Sequence, residues 1–280
     1  MKQLFVSDLD GTLLNRESRV SDRSAAIISR LTDAGALISV ATARTPATVE
    51  PLLRHTRTSP PAVVMTGAAL WDRAYGRFLN PRFISAATAS LITEACLRHG
   101  ITPFIYTIGE NGIIHTFFSG TPNRKERKFI DERSHLKLKR MHLGTESCSL
   151  PLMPSDPVLI FALGPTDEIY PLAEELRQSG VCSVSNYPDI FNSDISYLEV
   201  FAPGVDKAAA VTELKNLTGA GRLTVFGDNL NDIPMMKAAD VAVAVDNALP
   251  QVKEAADIVI GPNTDDSVAR YMAECMDMEI

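Results

Sequence analysis

An apolar run, Leu4-Phe5-Val6, is followed at once by Ser7-Asp8-Leu9-Asp10-Gly11-Thr12-Leu13, and this juncture restricts the chain more than any other stretch. Carboxylates two residues apart at the end of a buried strand are costly to desolvate unless a cation or a reaction uses them. Alternate positions of an extended segment project to the same side, so Asp8 and Asp10 address a common volume. In an open α/β sheet the carboxyl ends of the strands are where ligands sit. A plain Asp-Gly turn is the competing reading, and partners elsewhere in the chain decide between the two.

The strand-then-polar-loop grammar repeats. Ser21 to Ala34 has helical spacing, with Ser21 or Ser24 as cap, Ala25, Ile28 and Leu31 on one face, and Gly35 as a stop. Leu37 to Ala41 is a short buried strand ending in Thr42-Ala43-Arg44-Thr45, and Pro46 suits the first turn of the next helix. Ala62 to Met65 is a third strand, ending at Thr66-Gly67-Ala68. Strand and helix alternating at this spacing predict βαβ units and a parallel sheet.

Near residues 80–83 the grammar changes. Ser85 to His99 reads as a capped helix closed by Gly100. Thr102 to Thr107 and Ile113 to Phe118 flank Gly109-Glu110-Asn111-Gly112, a hairpin signal. A proline-rich stretch, 151–157, precedes a strand at Val158 to Leu163. The following helix is expected to start near Pro171, since proline is poorly tolerated in a helix interior, and Val181 to Ser185 suggests one more strand. Residues 83–194 therefore read as an α+β unit inserted into an α/β core made of 1–82 and 195–280. Within the insertion, Arg124 to Arg140 is rich in Lys and Arg. It is either a solvated face or a surface that draws anionic substrate.

Parallel-sheet grammar returns after Leu198 to Phe201. Lys207 opens a helix expected over 208–217 and ended by Gly219. Leu223 to Phe226 is a buried strand ending in Gly227-Asp228-Asn229-Leu230-Asn231-Asp232, with Pro234 marking another helix start. Val241 to Val245 and Ile258 to Ile260 complete the sheet, with Asn247 as a cap between them. If these strands are neighbours, Asp8, Asp10, Asp228 and Asp232 gather at one edge with Thr42 and Lys207. Like charges at that spacing call for a divalent cation, and all-oxygen ligation suits Mg²⁺. A lysine at a helix N-terminus opposes the macrodipole by roughly 0.3–1 kcal/mol, which a bound anion reverses. Thr42 offers a hydroxyl and neighbouring amides to the same anion. Carboxylates, metal, lysine and hydroxyl together describe a phosphoryl-transfer site.

The ordered set resembles the haloacid dehalogenase-like superfamily, in particular its Cof-type (subclass IIB) Mg²⁺-dependent phosphatases. Asp8-Leu9-Asp10-Gly11-Thr12-Leu13 matches the first motif, Thr42 in Ala41-Thr42-Ala43-Arg44 the second, Lys207 the third, and Gly227 to Asp232 the fourth. The resemblance implies a Rossmann-like parallel-sheet core with an inserted α+β cap acting as a mobile lid. It implies that Asp8 is the nucleophile and Asp10 the acid and base. Asp8, the main-chain carbonyl of Asp10 and Asp228 hold Mg²⁺. Leu9, Thr42, Ala43, Lys207 and Asn231 bind phosphate, and Asp232 orients Lys207 or the metal's waters. Asp232 as a helix N-cap is the alternative, and Arg44 is read either as an ion-pair partner or as a substrate contact. The chain departs from the family pattern in having Ala43 where Gly is common, Thr66 where Asn is usual, and Asp246 before Asn247.

The implied function is hydrolysis of small phosphate monoesters, such as sugar or cofactor phosphates, through an aspartyl phosphate. A phosphomutase on the same core and a non-catalytic phosphometabolite-binding protein are the alternatives. A dehalogenase has no use for the second acid, Asp10, and a dinucleotide-binding enzyme would need the G-x-G-x-x-G that is missing after the first strand. With 27 Lys and Arg against 34 Asp and Glu the net charge is −7, which argues against nucleic acid and membrane surfaces as partners. Cys96, Cys148, Cys182 and Cys275 make no C-x-x-C pair, and no apolar run approaches the ~18 residues of a span. A cytoplasmic location is expected on these grounds.

Overall fold

A computed structural model describes residues 2–144, 153, 155–189 and 192–279. They form two compact units, Met1–Leu79 with Asp206–Ile280, and Asn80–Val205. Cys148 and residues 151, 152 and 154 of the proline-rich stretch lie outside the described residues.

The chain begins with β1 (Gln3–Ser7) and α1 (Asp22–Asp33). Ser21 is the cap of α1, its hydroxyl accepting the Ser24 amide at 2.9 Å, while Ala25, Ile27, Ile28 and Leu31 form the buried stripe. Next come β2 (Leu37–Val40), α2 (Pro46–Leu53), β3 (Ala62–Val64), β4 (Ala69–Asp72) and β5 (Arg77–Leu79). The expectation that Ala62–Met65 is a full member of the parallel sheet is corrected here. Val63 meets Ala41 through a single parallel bridge, and β3 otherwise pairs antiparallel with β4 in a three-stranded sheet. The cause is the reversal at Met65-Thr66-Gly67, where three successive residues have positive φ and turn the chain back within one step.

The second unit contains α3 (Ala86–Arg98), β6 (Phe104–Ile108), β7 (Ile114–Phe118), α4 (Arg124–Asp131), β8 (Lys139–Leu143), β9 (Pro157–Pro165), α5 (Thr166–Ser179), β10 (Ser183–Pro188) and β11 (Ile195–Phe201). β6 and β7 form the antiparallel hairpin, and the six-stranded sheet runs β10-β11-β9-β6-β7-β8. β11, which the sequence reading leaves in the core, pairs between β9 and β10. Its mostly buried run gives no hint of which sheet it joins. α5 starts at Thr166 and not at Pro171, which sits inside the helix on its exposed side. There the carbonyl that loses its donor faces water, so the proline costs little.

The basic stretch splits in two. Arg124, Lys125, Arg127 and Lys128 on α4 are exposed, whereas Lys139 is 2% exposed. Its ammonium donates to the Tyr106 hydroxyl at 3.1 Å and lies 4.3 Å from that ring's centroid. Burial, and secondarily the nearby Arg133, lower its pKa to about 7. A folded-state value below the unfolded 10.5 means a penalty that is full below about pH 7 and fades as pH rises towards 10.5. Lys139→Met is therefore expected to raise Tm by at least about 3 °C at pH 6 and by less at pH 9. A calorimetric scan at the two pH values checks this.

Returning to the first unit, α6 (Lys207–Thr218), β12 (Arg222–Gly227), α7 (Ile233–Ala238), β13 (Val241–Val245), α8 (Pro250–Ala255), β14 (Ile258–Ile260) and α9 (Ser267–Cys275) complete the chain. The parallel sheet runs β14-β13-β12-β1-β2, a Rossmann-like arrangement. Leu4, Phe5, Val6, Leu223, Val225 and Phe226 in its central strands are fully buried, as expected of parallel strands covered on both faces. Registers align Ser7 with Val40 on one side and with Phe226 on the other. Asp8, Thr42 and Asp228 consequently emerge from the same sheet edge. No helix among the described residues is long and apolar enough to cross a membrane.

Candidate active site

The edge loop after β1 is tightly wound. Leu13 and Leu14 amides donate to the carbonyls of Asp8 and Leu9 at 3.3 and 2.8 Å, and Gly11 takes φ +81°. A Cβ on Gly11 would lie 2.3 Å from Asp228 Oδ2, so only glycine lets this loop approach the carboxylate so closely. Thr12 Oγ1 donates to Asp228 Oδ1 at 2.9 Å, and Asn247 Nδ2 donates to the Gly11 carbonyl at 2.7 Å.

Lys207, the first residue of α6, is fully buried between two carboxylates. Its Nζ lies 2.6 Å from Asp8 Oδ1 and 2.7 Å from Asp232 Oδ1. Burial alone would lower its pKa. The charges of Asp232 and Asp8, with their hydrogen bonds, more than offset this and hold it above the ordinary lysine value. Asp232 is not the side-chain cap of α7. Its Oδ2 reaches back to accept the Asp228 and Asn229 amides at 3.0 and 3.1 Å. Both of its oxygens are thus committed to orienting Lys207 and the loop after β12.

Burial pushes Asp8 well above the ordinary carboxylate range, opposed by Lys207 and reinforced by Asp232 and Asp228. Burial followed by the charge of Asp232 raises Asp228 to about 6. Oxygens of Asp8, Asp228 and Asp232 all lie within 4.8 Å of one another. Three carboxylates against one lysine leave surplus negative charge in a partly desolvated, all-oxygen cluster. That donor set fits a small hard divalent cation.

Asp10 points elsewhere. Arg44 binds it as a fork, Nε to Oδ2 at 2.7 Å and a terminal nitrogen to Oδ1 at 2.6 Å, which supports the ion-pair reading of Arg44. The bend between Arg44 and Thr42, whose Oγ1 accepts the Arg44 amide at 3.2 Å, aims the guanidinium at the loop after β1. The backbone bonds that fix this edge use the amides of Asp8, Thr42, Met65 and Thr66. They leave those of Leu9 and Ala43 without an acceptor among the described residues. Asn231 sits half-buried on the turn Leu230–Asp232. Asn247, expected as a cap, instead ties Gly11 to the Asn263 amide, which its Oδ1 accepts at 2.9 Å. The sequence names Thr12 only within the first motif and Asn247 only as a cap; their contacts with Asp228 and the Gly11 carbonyl have no local signal.

A sequence profile of haloacid dehalogenase-like hydrolases matches residues 5–272. The chain belongs to the haloacid dehalogenase-like hydrolases. Within that family it is a Cof-type phosphatase. It is 26% identical over 272 residues to a 5-amino-6-(5-phospho-D-ribitylamino)uracil phosphatase of Bacillus subtilis, covering 96% of this chain and 93% of that one. It is 24% identical over 278 residues to a pyridoxal phosphate phosphatase of Escherichia coli, covering 96% and 97%. Among solved structures, a haloacid dehalogenase-like hydrolase from Bacteroides thetaiotaomicron superposes with TM-score 0.78 at 20% identity, covering 98% of this chain and 100% of that one. The subclass IIB sugar phosphatase BT4131 superposes with TM-score 0.73 at 21% identity, covering 99% of each. The family assignment agrees with the arrangement of acids and lysine at the sheet edge. The relatives act on small phosphorylated compounds.

Proposed function

We propose that this phosphatase hydrolyses small phosphate monoesters with Mg²⁺, through a phosphoryl group carried on Asp8. The observation that supports this most is the buried Asp8–Lys207–Asp232 chain beside Asp228, a charge arrangement with no packing purpose and a surplus of negative charge. Asp8, Asp228 and the main-chain carbonyl of Asp10 would hold Mg²⁺, which when bound supplies charge neutralisation for the approach of an anionic phosphate to an anionic nucleophile.

Within that frame each residue has a task. Lys207 Nζ and the Thr42 hydroxyl, with the unpaired amides of Leu9 and Ala43, hold phosphate oxygens; Asn231 adds a side-chain amide. An Asp8 carboxylate oxygen attacks phosphorus, the bond to the leaving oxygen breaks, and Asp10 gives that oxygen a proton. Asp10 then takes a proton from the water that attacks the aspartyl phosphate, which regenerates Asp8 and frees inorganic phosphate. The Arg44 fork engages both Asp10 oxygens, so Asp10 must leave it and carry a proton into the first step; the proton it takes from water at the end of one turnover is the one it gives the leaving oxygen in the next. Asp232 keeps Lys207 aimed. The unit Asn80–Val205, inserted between the second and third motifs, serves as the lid that selects the leaving group. The curated relatives' printed substrates support a phosphorylated sugar derivative or cofactor as the compound consumed, and a cytoplasmic location belongs to the same proposal.

Mg²⁺-dependent release of phosphate from p-nitrophenyl phosphate tests this reading. No metal-dependent release at any pH between 5 and 9 would count against it. A linked result is expected from stability. Asp228 has a folded-state pKa near 6, above its unfolded 3.8, so the penalty for its charge is absent below pH 4 and full above pH 6. A divalent cation offsets that penalty only where the carboxylate is ionised. Millimolar Mg²⁺ should therefore raise Tm by several degrees at pH 7.5 and by clearly less at pH 5, measured against EDTA.

A further inference from the structure

The turn Met65–Gly67 after β3, to which the steps above assign no role, is the only place among the described residues where three successive residues have positive φ. Met65, Thr66 and Gly67 have φ of +50°, +55° and +99° in succession. A β-branched residue in the left-handed region is rarely tolerated, so surrounding contacts must hold it there. Those contacts are specific. The Met65 amide donates to the Arg44 carbonyl and the Thr66 amide to the Thr42 carbonyl, each at 3.0 Å. Both carbonyls belong to the loop that presents the Thr42 hydroxyl and the Ala43 amide. On its other side the turn abuts the first turn of α6. A Cβ on Gly67 would lie 2.3 Å from the Asp206 carbonyl oxygen and 3.1 Å from Ala210 Cβ. Asp206 is the cap of α6, accepting the Ala209 amide at 2.7 Å, and the next residue is Lys207.

We infer that Thr66 and Gly67 are positioning residues, and that their turn is a brace setting the separation between the Thr42 loop and Lys207. One side of the brace is hydrogen-bonded to the loop that binds phosphate through Thr42. The other side is in steric register with the backbone that launches the lysine. A displacement at either end passes to the other, because neither set of contacts includes a flexible side chain. The Thr66 amide reaches the Thr42 loop and Gly67 packs on the Asp206 backbone, and it is through these two neighbours that the turn bears on the phosphate-binding groups. The inference rests on the phosphate-binding roles given to Thr42 and Lys207 above.

Gly67→Ala tests it, read with orthovanadate as the probe in the presence of Mg²⁺. The new methyl group must push the Asp206 backbone away, and vanadate is expected to bind at least tenfold more weakly at a temperature where the variant is fully folded. A loss of stability alone would not give the second expected result. In a Lys207→Ala background, Gly67→Ala should cost less than twofold in vanadate affinity, because its effect is transmitted through the lysine. Equal losses in the two backgrounds, or wild-type affinity in Gly67→Ala, would overturn the brace. Should Gly67→Ala fail to fold, Thr66→Gly keeps the left-handed turn accessible while removing the steric well that fixes it. About threefold weaker vanadate binding is then expected, and wild-type affinity contradicts the proposal. Wild-type enzyme that shows no Mg²⁺-dependent phosphate release would instead overturn the functional reading on which the brace depends, so the two failures are distinguishable.

Discussion

Replacing Asp8 with Asn is expected to lower kcat for p-nitrophenyl phosphate by at least about four orders of magnitude, the scale on which removal of a nucleophile acts. The carboxamide keeps the shape of the side chain, and its oxygen can still accept from Lys207, which lies 2.6 Å from Asp8 Oδ1. Folding should therefore survive. Desolvation of Asp8 also disappears as a cost, since burial is the first cause of its raised pKa. The variant is thus expected to have a Tm equal to or above that of the wild type in EDTA, while being inactive. An Asp8→Asn enzyme retaining a tenth of wild-type activity would remove Asp8 from the nucleophile's role.

Lys207→Met should be damaging in both respects. Its side chain is fully buried, and it bridges Asp8 and Asp232, whose side chains are 9% and 0% exposed. Removing one member of a buried ion-pair network while leaving the others costs about 3–5 kcal/mol, because uncompensated charges stay buried. For a chain of this size that corresponds to a Tm lower by roughly 10 °C, measured in EDTA. Adding Asp232→Asn to Lys207→Met should recover part of the loss, since one stranded charge is then gone. Phosphate and vanadate affinities should fall in both variants, because the cation aimed at phosphate oxygens is missing. A Lys207→Met enzyme with unchanged Tm would show that the lysine's burial is not carrying charge balance.

The sheet-edge carboxylates were legible because each follows a short apolar run, and parallel strands of that kind bring their carboxyl ends together. Asp8 and Asp228 needed only that β1 and β12 be neighbours, as their register makes them, while Lys207 reaches the same edge from the first turn of α6. What local pattern could not express was pairing at a distance. The Arg44 fork on Asp10 spans 34 positions and the Asn247 contact with Gly11 spans 236. Neither leaves a periodic trace. β11 shows the same limit: its apolar run reports a strand but not whether its neighbour is β12 or β9. Pro171 misled in another way, since the rule against interior proline assumes a carbonyl that needs its donor, and on the exposed side of α5 water takes the donor's place. The burial of Lys139 contradicts the composition of its surroundings, because a run of Lys and Arg says nothing about which one faces the aromatic rings of Tyr106 and Phe129.

Rapid acid quenching during turnover of p-nitrophenyl phosphate with Mg²⁺ tests most directly whether Asp8 carries the phosphoryl group. Borohydride reduction of the quenched protein, followed by peptide mass spectrometry, should show homoserine at position 8, the product expected from an acyl phosphate on that aspartate. Phosphate release at full rate with no covalent species, or with the modification on any other residue, would contradict the account.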